Sequence, residues 1–192
     1  MDEKSFKRGQ SYVTTLNEVS AGRARVLEVV EGRTSGAAVA LLQSIPEEHR
    51  HGIRAVALDM WDAFLKACRE VLPHADVVHD KYHVSSHLND AVDKVRKEEH
   101  RHLMAGGDDT LKGSKWAWLR TFEDGRCSEA VSFRALHQLD LKTSRAWHFK
   151  EDFRYFWDYV SVDAARRFYR AWRKAVMSSR LKPLKKVARM ID

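Results

Sequence analysis

Two aspartates, Asp59 and Asp80, and three histidines, His79, His83 and His87, fall within about thirty residues of one another, in and just beyond the stretch Ala55 to Val84. The stretch opens with the apolar run Ala55-Val56-Ala57-Leu58, which ends on Asp59. A helical segment follows from Met60 to about Leu72 and stops at Pro73; a second run, Ala75 to Val78, leads into His79-Asp80-Lys81-Tyr82-His83. The pattern predicts strand, helix, strand, with an acidic residue just past the carboxyl end of each strand. That edge is where open α/β sheets bind ligands and metals. Carboxylates gathered there suit divalent cations, because hard cations prefer carboxylate oxygen. Two such ions about 3.5–4 Å apart can serve the attacking and leaving oxygens of a phosphoryl displacement. Asp59 is the better placed, since it follows a clean apolar strand; Asp2, in the acidic pair Asp2-Glu3, stands at or near a strand end. Asp is equally at home as a helix N-cap, and the pattern alone leaves both roles open for Asp59 and Asp80.

The histidines recur at steps of four, which on a continuous helix would make a zinc-binding face. His79 ends a strand, however, so the three need not share a face. Asp80 with His83 reads better as a hydrogen bond that locks the strand-to-helix turn, or as support for a neighbouring metal. Phosphate-loop, dinucleotide-binding and nucleophile-elbow motifs are absent.

The elements that must position these residues are legible upstream. Ser11 to Leu16 is rich in β-branched and aromatic residues and predicts a strand, Asn17 to Gly22 a hairpin loop, and Arg25 to Val30 the returning strand. Thr34 or Ser35 is set to cap a helix over Ala37 to Ser44 that Pro46 ends, with Glu47 to Gly52 as a polar loop. A hairpin followed by βαβ crossovers implies a mixed sheet with helices on its faces. The ribonuclease-H-like fold has this order, but needs a further central strand before the hairpin, ending about where Asp2 stands.

After His83 the texture changes. Val84 to Met104 carries Leu88, Ala91, Val92, Val95 and Leu103 at helical spacing, and Gly106-Gly107 breaks it. Lys112 to Phe122 is a short helix or extended piece, and Ser128 to Leu136 a helix. Leu141 to Val160 is a helix dense in aromatics, and Ser161 caps the next, Val162 to about Ser178. A basic helical piece follows Pro183. No strand signal occurs after Val78. The division is therefore an α/β part, residues 1–84, and an all-helical part, residues 85–192.

Net charge is +7 over 192 residues, unevenly spread. Val160 to Asp192 holds ten Lys or Arg against two Asp, a segment charge of +8 that leaves the remainder at −1. Such density suits a polyanion, most often nucleic acid. Arg166, Arg170, Arg173, Lys174, Lys182, Lys185 and Lys186 are the candidate contacts. Trp116 and Trp118 are candidates for base stacking, though a packing role suits them as well. No apolar run approaches the ~18 residues a membrane span needs, and Cys68 and Cys127 form no disulfide or zinc framework. A reducing cytoplasm fits best.

The runs MDEKSFKRGQSYVTTL, VALDMWDAFLKACREVLPHADVVHDKYHVSSHLNDAVDKVRKEEH, LKGSKWAWL and KPLKKVAR together resemble the DDE domain of bacterial insertion-sequence transposases of the ISL-three family. The resemblance spans nearly the whole chain in order. It implies a ribonuclease-H-like core with an incomplete first strand, carrying a large helical insertion. It puts the family's first catalytic Asp on Asp2 and the second on Asp59, both as ligands of Mg²⁺ (or Mn²⁺), and the family's DxxH motif on Asp80 and His83. The catalytic Glu of such enzymes lies in a later motif that does not occur before Asp192. The expectation is then a chain truncated at both ends and inactive alone, unless Glu129 or Glu151 supplies the third carboxylate. The implied partners are transposon-end and target DNA, with a homodimer or association with full-length transposase, in the nucleoid-bearing bacterial cytoplasm. A non-enzymatic DNA-binding or regulatory fragment is the alternative.

Overall fold

In a computed structural model the described residues are 1–5, 12–20, 23–119, 136 and 138–191, with the main chain alone for 2–5 and 20. They divide into two compact units, Met1–His83 and Val84–Asp192.

In the first unit, β1 (Asp2–Ser5), β2 (Tyr12–Ser20) and β3 (Arg23–Glu31) form an antiparallel sheet in that order. Strand β2 is longer than its β-branched core predicts. Asn17 to Ser20, expected as loop, continue the pairing to Arg23. A register shift between Leu16 and Asn17 makes this possible, since a bulge lets a strand bend and run on. Gly32, at φ +94°, closes the sheet: its N–H donates to Tyr12 O (2.7 Å) while Thr14 Oγ1 donates to Gly32 O (2.7 Å). The left-handed conformation is what glycine supplies without a Cβ penalty. Helix α1 (Ser35–Gln43) starts directly after, with Thr34 Oγ1 accepting from Ala37 N (3.2 Å). Glu47 to Arg50, expected as loop, form the one-turn helix α2 with both acids in its first turn, where they oppose the positive end of the peptide dipoles.

Strands β4 (Ala55–Leu58) and β5 (Asp76–His79) pair in parallel, Leu58 opposite His79, with α3 (Asp62–Val71) as the crossover. The main-chain amino group of Met1 donates to Ala57 O (2.7 Å), which brings the Asp2 end of β1 beside the carboxyl end of β4. Leu41 and Leu42 of α1, Phe64, Ala67 and Cys68 of α3, and Val56 and Leu58 of β4 are buried in one core. Full burial of the leucine, valine and phenylalanine side chains among them contributes roughly 1.5–3 kcal/mol each.

The second unit is helical among the described residues. Helix α4 (Lys81–Ala105) begins in the first unit and runs about 37 Å at 1.5 Å per residue. The expected stripe of Leu88, Ala91, Val92 and Val95 is buried. Asp93 is buried beside them. Burial pushes its carboxyl up, but hydrogen bonds from Lys97 and Arg96 outweigh this and hold it below the ordinary range. Gly107, at φ +82°, ends the helix. Helix α5 (Lys115–Leu119) is short; the expected helix over Ser128 to Leu136 lies almost wholly outside the described residues, as does Cys127.

Helix α6 (Lys142–Arg154) has Leu141 at its N-cap, a residue with no side-chain acceptor to offer. Glu99 of α4 substitutes: Oε1 accepts from Lys142 N (2.8 Å), and Oε2 from Thr143 N (2.7 Å) and Thr143 Oγ1 (2.6 Å). The expected continuation to Val160 stops early, in a 3₁₀ turn over Tyr155–Asp158. Ser161 caps α7 (Val162–Ser178), and α8 (Lys182–Met190) carries Pro183 in its first turn, where the missing N–H costs nothing. Phe153 and Trp172 meet at 4.6 Å between ring centroids, and Trp172 Nε1 donates to Phe149 O (2.8 Å).

Candidate metal and DNA site

Asp59 follows directly on β4, because the apolar alternation that makes Ala55–Leu58 a strand buries Val56 and Leu58 and ends there. Its Oδ1 accepts from Met60 N (2.6 Å) and lies 3.5 Å from His83 Nδ1. Asp59 is therefore not the N-cap of α3, a position held by Trp61. Its side chain is 19% exposed, and Oδ2 has no hydrogen-bond or ion-pair partner among the described residues. Oδ1 is thus the oxygen that the protein orients.

Asp80 plays a different part. Its Oδ1 accepts from Tyr82 N (2.7 Å), which makes it the cap of α4, while its own N–H donates to Leu58 O (3.2 Å). The capped turn swings the first residues of α4 back over the end of β4, and His83 meets Asp59 there. The sequence suggested a pairing of His83 with Asp80; in the structure His83 Nδ1 faces Asp59 Oδ1. His79, at the end of β5, has a buried Nδ1 with no hydrogen-bond partner among the described residues. Burial lowers the pKa of this imidazole, and the Asp59 carboxylate only partly opposes that. The three-histidine zinc face is not assembled. Among the described residues no group of three or more His, Cys, Asp or Glu is set to hold a metal.

Asp2 is placed by its main chain, opposite Thr15 at the start of β1 and next to the Met1–Ala57 contact. Main chain alone thus brings the two carboxylate-bearing strand ends together.

Sequence reasoning missed a set of side chains that fix this corner. The Arg33 guanidinium lies over the Tyr12 ring (4.1 Å) and the Trp61 ring (5.2 Å), and Trp61 Nε1 donates to Arg33 O (3.3 Å). Trp61 is two residues from Asp59, so the Gly32 turn and the start of α3 are tied together around it. The available signal was Gly32-Arg33 before a helix start and Trp61 before another, but nothing in sequence spacing says the two meet.

A Mg²⁺ or Mn²⁺ ion fits the Asp59 carboxylate as one hard oxygen ligand.

In the second unit, Arg166, Arg170, Lys174, Lys182 and Lys186 are exposed, while Arg173 and Lys185 are half-buried. Arg167, Arg180 and Arg189, not singled out from the sequence, are exposed as well. Trp116 is 60% exposed with Lys115 Nζ 4.7 Å from its ring centre, whereas Trp118 is fully buried and donates to Ser114 Oγ (3.1 Å). Of the two stacking candidates, one is therefore core. Glu151 is held by Lys150 (3.0 Å) and Arg154 (2.8 Å), and Glu129 lies outside the described residues. Among the described residues, no helix is long and apolar enough to cross a membrane.

Comparison with known proteins gives two findings. The family model for DDE transposases of the ISL-three type, described as a transposase, matches residues 1–192. The transposase for insertion sequence element IS1001 of Bordetella parapertussis is 26% identical over 175 residues, which cover 90% of this chain and 43% of that protein. The chain thus spans less than half the length of this curated relative. No solved structure matches.

Proposed function

Because the chain belongs to the ISL-three family of DDE transposases, we propose that it forms part of the catalytic region of a DNA transposase, with Asp59 and Asp2 as ligands of a divalent cation. The observation that carries this reading is the Asp59 carboxylate: oriented through Oδ1 by Met60 N–H and His83, at the carboxyl end of a parallel strand. The Met1–Ala57 contact supports a ribonuclease-H-like sheet in which β1 borders β4. When bound, Mg²⁺ or Mn²⁺ would polarise a DNA phosphate and activate the attacking oxygen. The protein's own contribution is positional. His83 steadies Asp59, and Asp80 sets the turn that delivers His83. The residues 85–192 form a helical DNA-contacting part whose exposed cations follow the phosphates. Two-metal chemistry asks for a further carboxylate beside these two, and Glu151, committed to Lys150 and Arg154, does not offer it. By itself the 192-residue chain is then a DNA-binding protein that does not cut. Assembly with a second copy or with a longer transposase belongs to the same proposal, as does a bacterial cytoplasmic, nucleoid-associated location.

The test is incubation of the purified chain with linear duplex DNA at low salt, with Mg²⁺ or Mn²⁺. Binding without strand cleavage is expected. Cleavage that disappears in Asp59→Asn would keep the site and remove the claim of inactivity. Absence of any binding would remove the DNA reading.

A further inference from the structure

The segment between α6 and α7 is unusually apolar on its outside. Tyr155 is 63% exposed, Tyr159 43%, Val160 101% and Val162 64%. Isolated exposed apolar residues are ordinary, but four within eight positions form a patch. It is not a loose loop. Phe156 packs on Phe153 (5.2 Å), Trp157 (5.1 Å) and Tyr169 (6.2 Å), and Tyr159 on Phe168 (5.4 Å). The aromatic rings beneath fix the backbone of the segment, and Tyr159 rests on one of them.

Val162, the last of the four, also begins a cationic stripe. Val162, Arg166, Arg170 and Lys174 follow at four-residue steps on one face of α7, about 6 Å apart along the axis. The acids nearby are Asp158, exposed, and Asp163, which lies 3.8 Å from Arg166. A pair that exposed contributes little and can be exchanged for a phosphate contact.

We propose that Tyr155 and Val160 form a stacking tip that receives unpaired bases where a DNA duplex opens, while Arg166, Arg170 and Lys174 hold the adjoining phosphates. The inference rests on the DNA reading above and adds the form of DNA bound. A polyanion is the occupant that matches both halves: the stripe meets phosphates, and apolar side chains at its end meet base faces or enter a base step. A protein partner would match the tip alone.

The test uses one duplex in two forms, fully paired and with a short fork whose unpaired strand carries 2-aminopurine. Wild-type chain should bind the fork about tenfold more tightly than the paired form and change the 2-aminopurine fluorescence. Tyr155→Ser/Val160→Ser should lose that preference and the fluorescence change, while keeping affinity for paired DNA and its salt dependence. Val160→Ser alone, at a fully exposed position, guards against misfolding and should reduce the preference in part. Equal binding of both forms by wild type, or a preference that survives the double variant, overturns the tip and favours a protein contact there. Failure of wild type to bind either form at low salt overturns the DNA reading beneath it.

Discussion

Raising NaCl from about 50 to 200 mM is expected to weaken DNA binding by this chain roughly 10²–10³-fold. Five of the candidate cations, Arg166, Arg170, Lys174, Lys182 and Lys186, are exposed and free of a buried role. Each phosphate neutralised releases condensed counterions, with a slope of about 0.9 in log affinity per log salt. Five contacts give a slope near −4.5, and a fourfold rise in salt then costs about 500-fold. Replacing Arg166, Arg170 and Lys174 with Gln should lower the slope by about 2.7 and weaken binding to all sequences alike. Arg173 and Lys185 are half-buried, so their replacement should change the slope less than their charge suggests. Fluorescence anisotropy across a salt series reads this directly. A flat series, or a triple variant with the wild-type slope, would show that the stripe does not meet phosphate.

The second large effect is on stability. Lys150→Ala is expected to destabilise the helical unit by about 3–4 kcal/mol. Lys150 is 6% exposed, and its Nζ donates to Trp118 O (3.1 Å) and Leu119 O (3.4 Å) at the end of α5 while facing Glu151 (3.0 Å). Burial pulls its pKa below the ordinary lysine value and Glu151 only partly restores it, which marks how far the ammonium depends on these partners. Truncation removes the ammonium's hydrogen bonds to both carbonyls, at about 1 kcal/mol each, and adds a cavity beside Trp147. The loss stays in the lower part of the ~3–5 kcal/mol range for a stranded buried charge, because Arg154 still holds Glu151 at 2.8 Å. Lys150→Met keeps the stem and should recover about half. Urea unfolding followed by tryptophan fluorescence distinguishes these; an alanine variant within about 0.5 kcal/mol of wild type would remove Lys150 from the framework.

What could be read from the sequence follows from how local each cause is. The run Ala55–Leu58, the helix to Val71 and the buried stripe of α4 were legible because alternation and helical spacing are properties of neighbours. The extension of β2 past Leu16 was not, since Asn17 and Ser20 are turn formers and only a bulge keeps them paired. The cap of α6 was not, since Glu99 is 43 residues from Lys142. At the site, Asp59 and Asp80 were found from their strand ends, but their division of labour depends on where a turn points, and Asp80 took the capping role that Asp favours. The tie from Arg33 to Trp61 spans 28 residues and has no periodic signature.

Whether Asp59 holds a divalent cation at the carboxyl end of β4 can be read from Mn²⁺ titration of the ¹⁵N-labelled chain. The paramagnetic ion broadens amide signals near its binding place, even when binding is weak and no DNA is cut. Broadening is expected to begin at the amides around Ala57 to Trp61, Asp2 and His79 to His83, and Asp59→Asn should abolish it there. Broadening that begins elsewhere, for example around Asp108 or Asp140, or that persists at β4 in the Asn variant, would contradict a cation site at Asp59.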